Sequence, residues 1–228
     1  MSAAPFLGVL MLETRFPRIP GDIGHPGTFA FPVRHVVVRG ASARRVVQAG
    51  DPGLLEPFVE AARALVGDGA AAITTSCGFL VRYQHDLQAA LAVPVWTSSL
   101  LRVPELRSSL SERERVGIVT VDATSLGAAH LRAAGAEPNT PIEGLEPGCA
   151  FQRALLDDLP DFDIEAAEAA TVAAAQNLVR RRPDVAAIVL ECTNMPPYAD
   201  AVRRATGRPV HDIATLLRER FSPGGRSP

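Results

Sequence analysis

The sequence predicts an α/β protein of two similar pseudo-symmetric halves, each a mainly parallel sheet flanked by helices, and three observations carry that prediction. Short apolar runs rich in Val, Ile and Leu alternate with longer stretches of helical period, the pattern of buried parallel strands joined by crossover helices. Gly69-Ala-Ala-Ala-Ile-Thr-Thr-Ser-Cys77 repeats without a gap as Asp184-Val-Ala-Ala-Ile-Val-Leu-Glu-Cys192, and 17 positions after each cysteine a proline, Pro94 or Pro209, opens another apolar run. Upstream, Gly8-Val-Leu-Met-Leu-Glu-Thr resembles Gly117-Ile-Val-Thr-Val-Asp-Ala, in both cases a glycine, an apolar strand and an acid.

In chain order, the apolar runs predict strands over Phe6–Leu12, Val33–Val38, Ala70–Thr75, Val93–Thr97, Arg115–Val121, Pro141–Leu145, Ala186–Leu190 and Pro209–His211. Asp51 and Pro52 supply an N-cap and a first-turn proline for a helix that carries Leu54, Leu55, Phe58, Ala62 and Leu65 on one face and ends at Gly67. Asp163 caps a long Ala-rich helix that must stop before Pro183. The halves are read as residues 1–98, carrying Cys77, and 99–211, carrying Cys192. A last helix near Ala214–Arg220, within 212–221, packs back on the first half, and Ser222–Pro228 reads as a frayed tail.

Composition narrows the chemistry. The chain has 228 residues, 47% hydrophobic and 21% charged, with a net charge of -2, which suits a globular core and leaves no basic stripe for nucleic acid. All 23 basic residues are Arg. Without lysine there is no Schiff base to pyridoxal phosphate or to a carbonyl substrate, and no P-loop lysine for a nucleotide. Five His (25, 35, 85, 130 and 211) form no H-x-x-x-H pair, so no metal is expected. With no signal-like start and no apolar run of spanning length, a cytoplasmic protein without membrane contact is expected.

Three cysteines, at 77, 149 and 192, show no C-x-x-C spacing and suggest no disulfide framework. Cys77 and Cys192 each end a buried strand and precede a helix, where open α/β sheets place their ligands, so two facing halves bring two thiols to one cleft. Helix N-termini lower a thiol pKa, and each thiol is therefore expected to be partly ionised at neutral pH. Cys149 has no counterpart in the repeat and reads as structural.

The segments Thr74-Thr75-Ser76-Cys77-Gly78 and Glu191-Cys192-Thr193-Asn194-Met195-Pro196 resemble the two cysteine motifs of the PLP-independent aspartate/glutamate racemase superfamily, which includes hydantoin racemases, maleate isomerases and arylmalonate decarboxylases. The resemblance implies a cofactor-independent racemase or epimerase acting on a small amino-acid-like carboxylate. One thiolate removes the α-proton and the opposite thiol returns a proton to the other face. It also implies a homodimer. A maleate-type cis–trans isomerase or a decarboxylase of the same group is the alternative, and a non-catalytic carboxylate-binding regulatory protein is the rival from another class. Two departures bear on substrate: Gly78 and Phe79 stand where glutamate racemases carry Asn-Thr, and Asn194 stands where glutamate racemases carry His and aspartate racemases Glu.

A substrate carboxylate needs donors at fixed positions, because stabilising the developing enediolate lowers the barrier. The candidates are the backbone at Gly78 and Phe79, the hydroxyls of Thr75, Ser76 and Thr193, and the Asn194 amide. Thr120 and Thr124 lie at the strand opening the second half, and Glu13 and Thr14 hold the equivalent place in the first. Glu13 or Asp122 either contacts a substrate amine, orients a thiol or caps a helix. The Pro- and Gly-rich segment 13–32 is too long for an ordinary connection and reads as a lid, binding loop or surface contact. Within it, Arg15 and Arg18 can pair with a second carboxylate, while Phe16, Phe29 and Phe31 can exclude water.

Overall fold

A computed structural model describes residues 4–221. Strands β1 (Phe6–Leu12), β2 (Val33–Val38), β3 (Ala70–Thr75) and β4 (Val95–Trp96) form one parallel sheet in the order β2-β1-β3-β4. Strands β5 (Arg115–Thr120), β6 (Ile142–Gly144), β7 (Val185–Leu190) and β8 (Val210–His211) form a second in the order β6-β5-β7-β8. The repeat seen in the sequence is a repeat of register. Phe6 faces Ala70 and Arg115 faces Val185, and both pairings slip by one residue at the next position.

The α-helices among the described residues are α1 (Leu55–Gly67), α2 (Gln84–Ala90), α3 (Arg102–Ser109), α4 (Ala128–Ala134), α5 (Ala150–Leu156), α6 (Ile164–Arg181), α7 (Ala199–Thr206) and α8 (Ile213–Arg220). Asp51 caps a short 3-10 turn, Pro52–Leu54, that leads into α1, whose Phe58, Val59, Ala62 and Leu65 are buried. Asp163 accepts from the amides of Glu165 and Ala166 at 2.9 and 3.0 Å and starts α6.

Because β1 is buried at all seven positions, it needs a partner on each face. Phe6, Leu10 and Leu12 join the main core with α1. Leu7, Val9 and Met11, with Ala72 of β3, are covered by Ile213, Ala214, Leu216 and Leu217 of α8, so the last helix closes the first sheet. The helix that follows β4 does the reverse, since α3 packs on β5 and β7 of the second sheet. Residues 222–228 lie outside the described residues.

The fourth strand of each sheet is shorter than the sequence suggests. At β4 the reason is visible. The Gln88 side chain accepts from the Val95 amide at 3.0 Å and donates to the Val93 carbonyl at 3.1 Å. Gln84 likewise donates to Val95 and accepts from Thr97. Two side-chain amides of α2 thus satisfy backbone groups that a longer edge strand would leave open. Among the described residues, no helix is long and apolar enough to cross a membrane.

Candidate active site

The carboxyl ends of β3 and β7 meet across the cleft. Ser76 donates its amide to Leu10 of β1 at 2.9 Å, and Glu191 donates its amide to Val119 of β5 at 2.8 Å, so equivalent bonds aim both cysteine loops the same way. The loops are then joined, since the Thr193 hydroxyl donates to the Ser76 carbonyl at 2.6 Å. Cys77 and Cys192 both line the cavity between them, 9% and 8% exposed. Its volume is about 30 Å³. Leu12, Phe16, Ala43, Val47, Phe79, Val121, Leu155 and Leu156 form its apolar wall, and Ser76, Arg18, Glu191, Thr193 and Asn194 supply its polar groups.

The segment 13–32 is folded over this cavity as a strap organised on Asp22, which is 2% exposed. Asp22 accepts from the Gly24 amide at 2.6 Å and from the Arg18 guanidinium at 3.2 Å, while its carbonyl holds the Thr28 hydroxyl and the His25 amide. Its second carboxylate oxygen accepts from the Asn194 side-chain amide, fastening the strap to the Cys192 loop. That bond turns Asn194 Oδ1 toward Cys192 Sγ, 3.5 Å away. Arg18 also donates to Thr14 at 2.8 Å and lies over the Phe16 ring at 4.4 Å.

Of the residues expected at the site, Cys77, Cys192, Ser76, Phe79, Thr193 and Asn194 line the cavity, as do Arg18 and Phe16. The others are engaged elsewhere. Glu13 accepts from the Gly40 amide, and Thr14 serves Arg18. Arg15 is tied to Asp158 by three hydrogen bonds, with its side chain 70% exposed. Asp122 caps no helix, since Gly127 holds that place for α4, and instead closes a turn by accepting from Thr124 and Ser125. Thr75 is buried and donates to the Cys77 and Thr97 carbonyls, Thr120 donates to Glu191, and Gly78 is covered by Glu191. Phe29 and Phe31 stack on each other at 4.9 Å, and Phe31 packs on Phe221 at 4.8 Å, closing the α8 face instead of the cleft. Cys149 caps α5 through a contact from the Gln152 amide at 3.4 Å.

The expectation of low thiol pKa values is overturned. Burial, and next the charge of Glu191, push Cys77 up to about 12, and the same two causes raise Cys192 well above its ordinary value. The amides of Phe79 and Leu80 and the Arg18 charge pull Cys77 down but do not prevail. At Cys192 there is no adjacent helix start, because Pro196 and Pro197 occupy a separate 3-10 turn and α7 begins only at Ala199. Glu191 itself is 1% exposed, and burial lifts it to about 7 against the opposing hydrogen bond from Thr120.

Sequence reasoning missed Asp22 and the role of Glu191. An acid at the end of the apolar run Val185–Leu190, where the first half has Ser76, was the available signal. Asp22 gave none, since an Asp among prolines and glycines reads as an ordinary turn residue.

The family model described as "Asp/Glu/Hydantoin racemase" matches residues 104–219. A dimethylsulfoniopropionate lyase of Durusdinium sp. clade D is 32% identical over 215 residues, covering 90% of this chain and 70% of the relative. Dimethylsulfoniopropionate lyase 7 of Emiliania huxleyi (strain CCMP1516) is 31% identical over 222 residues, and this chain spans 92% of itself but 64% of that relative. Among solved structures, an unliganded arylmalonate decarboxylase superposes with a TM-score of 0.63 at 19% identity, covering 97% of this chain and 94% of that one. A glutamate racemase from Bacillus anthracis gives 0.55 at 13% identity, covering 94% and 82%. These two likenesses concern the fold alone.

Proposed function

Because the chain belongs to the Asp/Glu/hydantoin racemase family, we propose that it is a cofactor-independent enzyme in which a cysteine thiolate takes the proton from the carbon beside the carboxylate of a small substrate, the reaction then running to elimination of a β-sulfonium group. The observation that carries the proton-transfer part is the presence of Cys77 and Cys192, one from each half, in a single desolvated cavity. The elimination part draws on the names of the relatives matched over nine-tenths of this chain.

In the reaction the thiolate forms a bond to the α-proton, and the C–H electron pair becomes the C=C bond. The C–S bond to the sulfonium breaks, and its pair leaves on a neutral sulfide. The products are the sulfide, an unsaturated carboxylate and a protonated cysteine. Charge that develops on the carboxylate during proton removal is met by the Arg18 guanidinium at the cavity wall. Phe16, Phe79, Leu155 and Leu156 keep water from the carbanion. A thiolate with a raised pKa is a stronger base toward a weakly acidic C–H, and a cationic substrate group entering the cavity offsets the Glu191 charge that opposes its formation. At about 30 Å³ the cavity is small beside ordinary ligand pockets, so it must widen to admit a substrate.

Racemisation is the second reading, favoured by the equivalent positions of the two thiols, since proton return to the opposite face uses both. Proton NMR in D₂O separates the outcomes. Dimethylsulfoniopropionate is expected to give vinyl protons and dimethyl sulfide. Loss of α-proton signal with stereoinversion across a panel of D- and L-amino acids and hydantoins, without a vinyl product, transfers the assignment to racemisation. No exchange and no product, together with slow thiol alkylation, defeats both and leaves a carboxylate-binding protein.

A further inference from the structure

Glu191 is the cavity's carboxyl to which the reaction above gives no proton-transfer role, and its placement is specific. It belongs to the second half, yet its carboxyl crosses the cleft to the residue after the first cysteine. A Cβ built on Gly78 would overlap Glu191 Oε1 and the Glu191 backbone carbonyl oxygen and would lie 2.9 Å from the carboxyl carbon. The glycine that stands where the resemblance leads one to expect Asn is therefore the counterpart of this carboxyl. One buried group has taken the space of the other.

The carboxyl is only half satisfied. Oε2 accepts from the Thr120 hydroxyl at 2.7 Å, whereas Oε1 has no hydrogen-bond partner among the described residues. Both thiols feel its charge, Cys77 from the end of β3 and Cys192 from the next position in the chain. Arg18 reaches the same cavity from the strap, paired with Asp22, whose charge is also felt at Cys192. Tyr198, on the turn before α7, is buried and has no partner for its hydroxyl among the described residues.

We propose that Glu191 is the positioning residue that governs when a thiol of the pair ionises: the carboxyl held against Gly78 holds both thiols protonated while it is charged, and by accepting the proton of one it releases that thiol as the base. The S–H bond of the cysteine breaks, the proton passes to the Glu191 carboxylate, and the electron pair stays on sulfur. The site thus keeps one negative charge and moves it from carboxylate to thiolate. Burial holds this carboxyl at about 7, so it changes protonation in the neutral range, and while ionised it adds to the burial that keeps both thiols protonated. This inference rests on the reading that the thiols are the working bases.

The test uses the full chain and the pH dependence of iodoacetamide alkylation, resolved by mass spectrometry for each cysteine, with Cys149 as the internal reference. Glu191→Gln removes the charge and keeps the shape. Cys77 and Cys192 are expected to alkylate about tenfold faster at pH 8, the effect of one pKa unit, with Cys149 unchanged. On a substrate that is turned over, kcat is expected to fall about 100-fold, the size of a lost proton-transfer partner, with KM changing less than about threefold. Thr120→Val, which withdraws the hydroxyl that favours the ionised carboxyl, should speed alkylation at pH 8 in the same direction. Unchanged alkylation profiles in both variants overturn the proposal, even if the enzyme is active. Shifted profiles in a protein that turns over nothing uphold the pairing and remove the proposed function instead.

Discussion

The two halves differ where they touch chemistry and agree where they do not. Strand order, register and the one-residue slip are shared, and so are the backbone bonds that aim the cysteine loops. At the position before each cysteine, however, the first half has Ser76, whose hydroxyl is satisfied by the Leu12 amide at 2.8 Å, and the second has Glu191, half unpaired. The connection after the first strand differs as well. Between β5 and β6 it contains α4, whereas between β1 and β2 it is the strap that brings Arg18 and Phe16 to the cleft. A duplicated frame fixes where two thiols stand. Only departures from the duplication give them unequal surroundings.

The strongest way to probe that inequality is to remove one thiol at a time. If elimination is the reaction, Cys77→Ala and Cys192→Ala should differ sharply: one falls by about 1,000-fold and the other stays within about tenfold, since a single base suffices. Equal, near-complete losses of inversion on an amino-acid substrate would instead restore functional symmetry between the halves.

Stability against pH tests the same contrast. Glu191 is raised to about 7 from 4.5, so its contribution is fully present below pH 4.5 and is lost as pH rises through 7. His130, buried beside Phe79, is lowered from 6.5 to about 4, mainly by burial and then by Arg82. Its contribution is present above 6.5 and lost as pH falls through 4. The two windows overlap with opposite slopes, so urea midpoints should stay nearly level from pH 4 to pH 7, whereas Glu191→Gln removes the falling contribution and should leave stability rising by up to about 3 kcal/mol between pH 4 and pH 6.5.

A smaller effect tests the shared frame. A Cβ at Gly8 would meet Ile73 Cδ1 at 2.7 Å, and one at Gly117 would meet Leu178 Cδ2 at 2.7 Å. Gly8→Ala and Gly117→Ala should each destabilise by about 1–3 kcal/mol through overpacking. Costs that differ by more than about 1 kcal/mol on that scale would show that the two sheets are not equivalent supports. Smallest of all is Arg15→Ala, which breaks an exposed tie between the strap and Asp158 and should change stability by less than about 1 kcal/mol.

Strands and cysteine loops were legible because period and repetition are local properties of sequence. Val33–Val38 and Ala70–Thr75 fall at the limits that their apolar runs define. The end of β4 was not legible, because it depends on Gln84 and Gln88 reaching back from a helix. Likewise Ala43, Val47, Leu155 and Leu156 reach the cavity from elements whose approach is set by packing, and no motif marks them. The thiol acidity was misread for a related reason. A helix start is visible in sequence, but the desolvation that outweighs it comes from the other half and from the strap.

The exchange of helices between sheets has a consequence for the order of assembly during synthesis. The face of β1 made by Leu7, Val9 and Met11 is covered by α8, which leaves the ribosome only after the whole second half has been made. Until Ile213–Leu217 emerge, the nascent first half has only Ile23 and Phe29 of the strap to cover this apolar sheet face, and completing it is a contact of very long sequence separation that slows folding and invites chaperone binding. The two halves, though each repeats the other's frame, therefore mature as one cooperative unit.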